Sequence, residues 1–380
     1  MNSRAMLRTV ALSATAALIL GGTLVGCSSS DSGSDAKGGT VDAAKATSAA
    51  DFGGIDGLVK AAKKEGQLNV IALPEDWANY GKIIKGFEDK YGITVNSASP
   101  DASSAEEIQA ADNLKGQDTA PDVFDLGAAV ALANTAKFAP YQVEKWDEIP
   151  DANKEKTGLW VNNYSGIMSI GYDSAKVPEP KKLDDLLDAK YKGAVALNGD
   201  PTQAGAAFAA VGLIAAQNGG GVKDFGPGVD FVAKLKQAGN FLTVDPTPAT
   251  IASGETPVVF DWSFNNVAAA KGKPSWKTTV LPGAAYVSFY NEAISKDAPN
   301  PAAARLWQEW IFSDEAQALY LEANAVPVRV EALKKAGSAD EKLIEQATFG
   351  TQSSDWISPD AAQVEAANKV LADRWAAAVK

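Results

Sequence analysis

Gln67-Leu-Asn-Val-Ile-Ala-Leu73 is a short, mostly apolar run that reads as a buried strand. Pro74-Glu75-Asp76-Trp77 then turns the chain into a helix, whose Tyr80, Ile84, Phe87 and Tyr91 share one face and which Gly92 ends. Ile93-Thr-Val-Asn-Ser97 is the next strand. Pro100-Asp101-Ala-Ser103-Ser104 leads into a helix from about Ala105, and Asp122-Val-Phe-Asp-Leu126 is a third strand. Strand, helix, strand, helix, strand predicts a parallel sheet flanked by helices. In such sheets ligands bind outside the carboxyl ends of the strands, where Glu75, Asp76, Trp77, Asp101, Ser103 and Asp125 fall.

Towards the C-terminus, Gly158 to Tyr172 reads as extended chain crossing to a second lobe. Lys181 to Leu187 is helical and Gly193-Ala-Val-Ala-Leu197 is a strand. Asn198-Gly-Asp-Pro-Thr202 follows, then an alanine-rich helix to about Gln217, with Asp200, Pro201 and Thr202 as its start. Thr243 to Thr247 is extended, and Ile251-Ala-Ser-Gly254 turns the chain. Pro257-Val-Val-Phe260 is a strand that delivers Asp261 and Trp262 at its end. Thr278 to Leu281 and Ala285 to Ile294 are extended, the second returning to lobe one. Pro301 to Ile311 is a helix with Leu306, Trp307, Trp310 and Ile311 on one face. Ser313 caps another helix, and Ser358-Pro359-Asp360 opens the last.

Towards the N-terminus, Ser28 to about Asp51 is rich in Ser, Gly, Asp, Ala and Lys and reads as a flexible tether. Before it, Met1 to Gly26 has two arginines, no acid and an apolar run from Val10 to Ile19, the pattern of a secretory signal. Leu24-Val-Gly-Cys27 resembles the bacterial lipobox, which implies that Cys27 carries a lipid and holds an exported protein to the outer face of the cell membrane.

One cysteine and no histidine exclude an intrachain disulfide framework, Ser-His and Cys-His nucleophile pairs and the common zinc sites. Carboxylate chemistry remains open, so an exported carboxylate-dependent hydrolase stands as a distant alternative. The formal charge of −12, or −14 once Arg4 and Arg8 leave with a signal, argues against nucleic acid and anionic lipid as partners.

Four further stretches carry a resemblance. They are Pro121-Asp-Val-Phe-Asp125, Pro180-Lys-Lys-Leu-Asp-Asp-Leu-Leu-Asp-Ala-Lys-Tyr-Lys-Gly193, Ser253-Gly-Glu-Thr-Pro-Val-Val-Phe260 and Ala293-Ile-Ser-Lys-Asp-Ala-Pro-Asn300. In order and spacing the chain resembles a solute-binding protein of an ABC importer, of the two-lobed class that includes polyamine, ferric-ion and phosphonate binders. The resemblance implies an α/β, type II periplasmic-binding-protein-like fold, with a mostly parallel sheet in each lobe and hinge crossovers. It also implies a monomer that closes on a small ligand without a cofactor and docks on a permease. The divisions expected are a signal over 1–26, a tether over 27–52, lobe one from 53–165 plus 284–325, and lobe two from 166–283 plus 326–380.

The resemblance also frames the ligand. Ferric-ion relatives carry adjacent tyrosines where this chain has Asp261-Trp262-Ser263-Phe264. Polyamine relatives hold ammonium groups on carboxylates and methylenes on aromatic faces. Glu75, Asp76 and Trp77 from one lobe and Asp261 and Trp262 from the other would supply such a box, with Tyr290 as a wall and Asp101 and Asp125 in reach. Ser103, Ser104 and Thr202, at expected helix starts, compete by offering hydroxyls and free N–H groups to an anion, which would suit an aminophosphonate-like zwitterion. The same three also serve as ordinary caps, and Asp76 and Asp125 as helix starts.

Overall fold

The computed structural model describes residues 41–351 and 355–380. The signal expected over 1–26, Cys27 and most of the expected tether lie outside the described residues. From Gln67 the chain follows the predicted alternation. Helix α1 (Ile55–Glu65) leads into β1 (Gln67–Ile71), followed by α2 (Tyr80–Tyr91), β2 (Thr94–Ala98), α3 (Ser104–Asn113) and β3 (Val123–Leu126). Helix α2 buries Tyr80, Ile83 and Phe87, and ends at Gly92, whose φ of 67° closes the last turn. Next come α4 (Ala128–Ala133), β4 (Phe138–Ala139), β5 (Val161–Asp173), β6 (Val195–Leu197), α5 (Gly205–Gln217), α6 (Gly226–Gln237) and α7 (Pro248–Ser253). The chain continues through β7 (Val258–Trp262), α8 (Ser263–Gly272), β8 (Trp276–Thr279), β9 (Ala285–Ser295), α9 (Pro301–Ile311) and α10 (Asp314–Glu322). It ends with β10 (Val326–Pro327), α11 (Val330–Ala336), α12 (Glu341–Thr348), β11 (Trp356–Ile357) and α13 (Ala361–Ala378).

Two long strands tie the halves together. The first part of β5 pairs antiparallel with β9 and β10, while its last residues pair with β7 and β8. Strand β9 runs back alongside it and ends against β3 and β4. Strands β1 and β2 form a parallel pair, and β6 lies parallel to β7. Asp122 docks β3 beside β1: its N–H donates to the Asn69 carbonyl at 2.9 Å, and its carboxylate accepts the Asn69 N–H at 2.7 Å. The sheets are therefore mixed and not mostly parallel. The reason is that β5 and β9 each serve both halves, and a strand that crosses over enters antiparallel to strands wound by helices.

Helix α5 is deeply placed, with every residue from Ala206 to Ala215 buried. Apolar side chains all round, many of them alanine, let it pack against β5, β7, β9 and α6 at once. Helix α9 buries Leu306, Trp307, Trp310 and Ile311 as its periodicity predicts, and α13 does the same with Val364, Leu371 and Trp375.

Two boundaries differ from the sequence expectation. The folded body begins before residue 53, because Ala46 is buried after one short 3-10 turn and Ala49 and Phe52 are buried within the next. Buried Arg305 of α9 secures that segment, donating from Nε to the Ala46 carbonyl at 2.7 Å and from Nη2 to the Ala44 carbonyl at 3.0 Å. Bonds to backbone carbonyls leave no mark in composition, so a Ser/Ala/Gly-rich stretch looks like a tether. The second difference is at the C-terminus. Residues from Val326 through α12 pack on α10 and pair with the first part of β5, joining the lobe-one elements. Strand β11 pairs with Ala285 and Tyr286 while its Trp356 also packs on the Leu321–Val326 cluster, and α13 lies against both α6 and α4, so the last elements touch both halves.

Candidate functional site

The segments that follow β1 and β3 meet the segment that follows β7 and the start of α5 along one seam, with Trp77 against Phe264 and Gly127 against Gly205. Gly127 and Gly205 define how close the halves come: a Cβ on Gly127 would stand 3.2 Å from the Gly205 Cα. Gly127 opens α4 and Gly205 is the first residue of α5, so two helix starts from opposite halves touch backbone to backbone. The backbone at this end is strained, with Ala72, Ala78, Asn79 and Ser99 all at positive φ.

Aromatic rings fill the seam. The half-buried Trp77 donates from Nε1 to the Tyr164 hydroxyl at 2.7 Å. Its ring meets Phe264 edge-on at 5.4 Å and Tyr290 edge-on at 5.7 Å. Tyr164 stacks on Tyr290 at 5.3 Å and on Tyr320 at 4.7 Å. Trp262 is only 1% exposed and donates from Nε1 to the Tyr290 hydroxyl at 3.1 Å. Trp77, Trp262 and Tyr290 thus come together from three distant parts of the chain.

Carboxylates stand behind these rings. Asp125, 5% exposed, accepts the Tyr164 hydroxyl at 2.8 Å, completing a Trp77–Tyr164–Asp125 chain. Its other oxygen, Oδ1, has no hydrogen-bond partner. Burial pushes this carboxyl up to about 7, against which the Tyr164 hydrogen bond pulls down. Asp261, on the opposite half, is 6% exposed. It accepts the Trp262 N–H at 2.7 Å and both of its oxygens accept the Asn265 amide at 3.1 Å. Burial raises it to about 6, opposed by those bonds and by Asn198.

The other expected residues are arranged differently. Glu75, Asp76 and Asp101 are exposed on loops at the rim. Asp76 does not cap α2, whose N-cap is Asn79 in a left-handed conformation. Ser103 caps α3 and donates its hydroxyl to Glu106 at 2.9 Å. Ser104 is buried and accepts the Gly127 N–H at 3.0 Å, which places it at the seam. Thr202 is exposed and does not start a helix, because α5 begins at Gly205. The Asp200 carboxylate folds back to accept the Thr202 N–H at 2.7 Å and its hydroxyl at 2.6 Å, and this local turn delays the helix. Residues 251–254, expected as a turn, complete α7, which Thr247 caps.

Several residues here were not read from the sequence. Glu107 looks like a first-turn acid of α3, yet it is 1% exposed and accepts the Asp125 N–H at 3.1 Å. Glu292, also 1% exposed, lies directly opposite Asp125 in the β3–β9 ladder. Its signal was available: a carboxylate inside an otherwise buried strand demands a reason. Tyr80 was read only as part of the apolar face of α2, and Tyr164, Phe264 and Tyr320 were not among the candidate site residues.

Two comparisons bear on what this arrangement serves. Residues 120–358, well over half of the chain, match the sequence profile of a family described as bacterial extracellular solute-binding protein. The chain belongs to that family. A search of curated protein sequences finds no match. Solved structures share the fold of this solute-binding protein at low identity. AfuA of Actinobacillus pleuropneumoniae, with fructose-6-phosphate bound, is 18% identical with a TM-score of 0.63, over 83% of this chain and 98% of that one. Iron-bound HitA of Pseudomonas aeruginosa is 18% identical with a TM-score of 0.61, over 82% and 99%. A Listeria monocytogenes protein assigned to spermidine/putrescine ABC transport is 13% identical with a TM-score of 0.62, over 81% and 98%. The shared fold is the two-lobed α/β architecture of periplasmic binding proteins, and the ligands named for these neighbours differ from one to the next.

Proposed function

We propose that this solute-binding protein captures a small organic cation, of the putrescine and spermidine kind, between its lobes and presents it to an ABC permease. The observation that carries the ligand class is Asp125, buried with a free oxygen behind the Trp77, Tyr164 and Tyr290 rings. None of the ion pairs among the described residues reaches Asp125 or Asp261. A carboxylate in an apolar setting without a cationic partner is costly, and an ammonium group over aromatic faces offsets that cost. Asp261 and Trp262 supply the matching acid and ring from the second lobe.

A thermal-shift screen of the purified protein tests the reading, since a ligand that binds only the folded state raises Tm by mass action. A rise with putrescine or spermidine supports it. A rise confined to 2-aminoethylphosphonate would transfer the cleft to the zwitterion alternative, with Ser104 and the adjoining N–H groups as the anion end. With a polyamine in hand, Asp261→Asn is expected to weaken binding by roughly 1.5–3 kcal/mol by calorimetry. Unchanged affinity would remove Asp261 from the ligand's contacts.

Cys27 is proposed as the lipid attachment point, on the strength of Leu24-Val-Gly-Cys27. Cys27→Ser is expected to move the protein from the membrane fraction to the medium. Membrane retention of the variant would end the lipobox reading.

A further inference from the structure

Asp125, Glu107 and Glu292 arrive from β3, α3 and β9 and converge beneath the aromatic seam. Asp125 and Glu292 are directly opposite one another in an antiparallel ladder, a position that brings side chains onto the same face at close range. Glu107 reaches the backbone N–H of Asp125 itself. Two oxygens of this group, Asp125 Oδ1 and Glu292 Oε2, are buried without a hydrogen-bond partner.

The groups that face them from other elements are neutral. Tyr80 of α2 approaches Glu292 at 3.5 Å and also acts on Asp125, Asn163 of β5 approaches Glu292 at 3.4 Å, and the Trp307 indole of α9 acts on Glu292. Tyr164 of β5 donates to Asp125, Tyr290 of β9 stacks on Tyr164, and Tyr320 of α10 accepts the Asn163 amide at 2.8 Å. Asp261, across the seam, is the remaining charged group that acts on Tyr290, and it is an acid. No lysine or arginine acts on the three carboxyl groups among the described residues.

Three adjacent negative charges cannot stand together in a medium of low dielectric without counter-charge. In the absence of a cation, protons are the counter-charge the chemistry allows. Resting on the cation reading above, we propose that Asp125, Glu107 and Glu292 form a proton-holding unit that surrenders protons to solvent when a cation enters the cleft. The charge balances: an ammonium group comes in, a proton leaves to the buffer, and the buried site never carries the full negative charge alone. Burial, reinforced by the charges of the neighbouring acids, raises both Glu107 and Glu292 well above the usual carboxylate range, in keeping with this exchange. Affinity for a cation then rises with pH through the neutral range, and Glu292 acts as a positioning residue that sets the proton load of Asp125 without touching the ligand.

The test is calorimetric titration of the intact protein with putrescine and with spermidine near pH 7, in buffers of different ionisation enthalpy. The expected result is a binding heat that varies with buffer, corresponding to release of roughly half a proton or more per ligand. Glu292→Gln is expected to reduce the released protons and to flatten the rise of affinity with pH, while still binding. A purely structural role for Glu292 would change affinity and leave the proton count alone. Polyamine binding with heats independent of buffer, or with proton uptake, overturns the exchange and leaves the cation reading standing. Absence of binding by both amines overturns the cation reading and the exchange together.

Discussion

Asp125→Asn is expected to raise the melting temperature of the ligand-free protein at pH 8 and to cost most of its affinity for an organic cation. The first effect follows from the direction of the shift. Burial lifts the Asp125 carboxyl from 3.8 to about 7, so the folded state holds its proton more tightly than the unfolded chain. The stability this group contributes is fully present below pH 3.8, and it is lost as pH rises through 7. Full ionisation of such a group costs on the order of 4 kcal/mol relative to its neutral form. Asparagine imitates the neutral form at every pH and keeps an oxygen to accept the Tyr164 hydroxyl. The variant and the wild type are therefore expected to melt together at pH 4, and the variant several degrees higher at pH 8. Adding polyamine should reverse the order, because only the carboxylate gains from the cation, a loss of about 1.5–3 kcal/mol for the variant. Melting curves at the two pH values, with and without ligand, check this. A variant that melts lower than the wild type at pH 8 without ligand would show that the Asp125 charge is stabilising and already compensated.

Gly127→Leu is expected to abolish tight binding while leaving the fold intact. Gly127 has φ −59° and ψ 145°, ordinary extended backbone in which leucine is unstrained. On its own half the nearest atom to a Cβ is the Ser104 Oγ at 3.7 Å, an ordinary van der Waals contact. The obstruction comes from the other half, where the Gly205 Cα stands 3.2 Å from the position of a Cβ, tighter than packed atoms tolerate. Leucine adds three further carbons to that clash, so the lobes must stop short of the approach seen here. Apparent affinity falls with the population of the closed state, and a loss of more than about 100-fold, or ~2.7 kcal/mol, is expected. Gly127→Ala, which needs the neighbour to give by only a few tenths of an ångström, should lose far less. Calorimetry measures the affinity, and small-angle scattering shows whether ligand still contracts the molecule. If Gly127→Leu bound and contracted like the wild type, the Gly127–Gly205 contact would be irrelevant to closure.

Much of the architecture was legible from residue 67 onward, because local rules agree with the global fold along that stretch. The alternation of short apolar runs with amphipathic helices, Gly92 at a helix end, and Asp360 and Ser313 at helix starts each express backbone chemistry that acts within a few residues. The crossing strand from Gly158 and the returning strand from Ala285 were visible for the same reason: long β-rich runs have few other places to go. The carboxylate and tryptophan content of the strand ends was visible too, which is how Trp77, Asp125, Asp261, Trp262 and Tyr290 entered the candidate site together.

What the sequence could not settle are the contacts made between residues far apart in it. Whether Thr202 starts a helix depended on Asp200 taking its N–H and hydroxyl first. Whether residues 43–52 are tether or fold depended on one guanidinium more than 250 residues away bonding to their carbonyls. Glu107 and Glu292 are far apart in sequence, and only the pairing of β3 with β9 and the reach of α3 to β3 set them around Asp125. Periodicity and turn chemistry determined the alternation of strands and helices, since those follow from local free energies summed along the chain, while the two-lobed fold was implied by the resemblance carried on stretches such as Pro121–Asp125 and Ser253–Phe260. Only tertiary structure decided which charges are buried together without a counter-ion, because desolvation and Coulomb energy depend on distances through space and not on spacing in sequence.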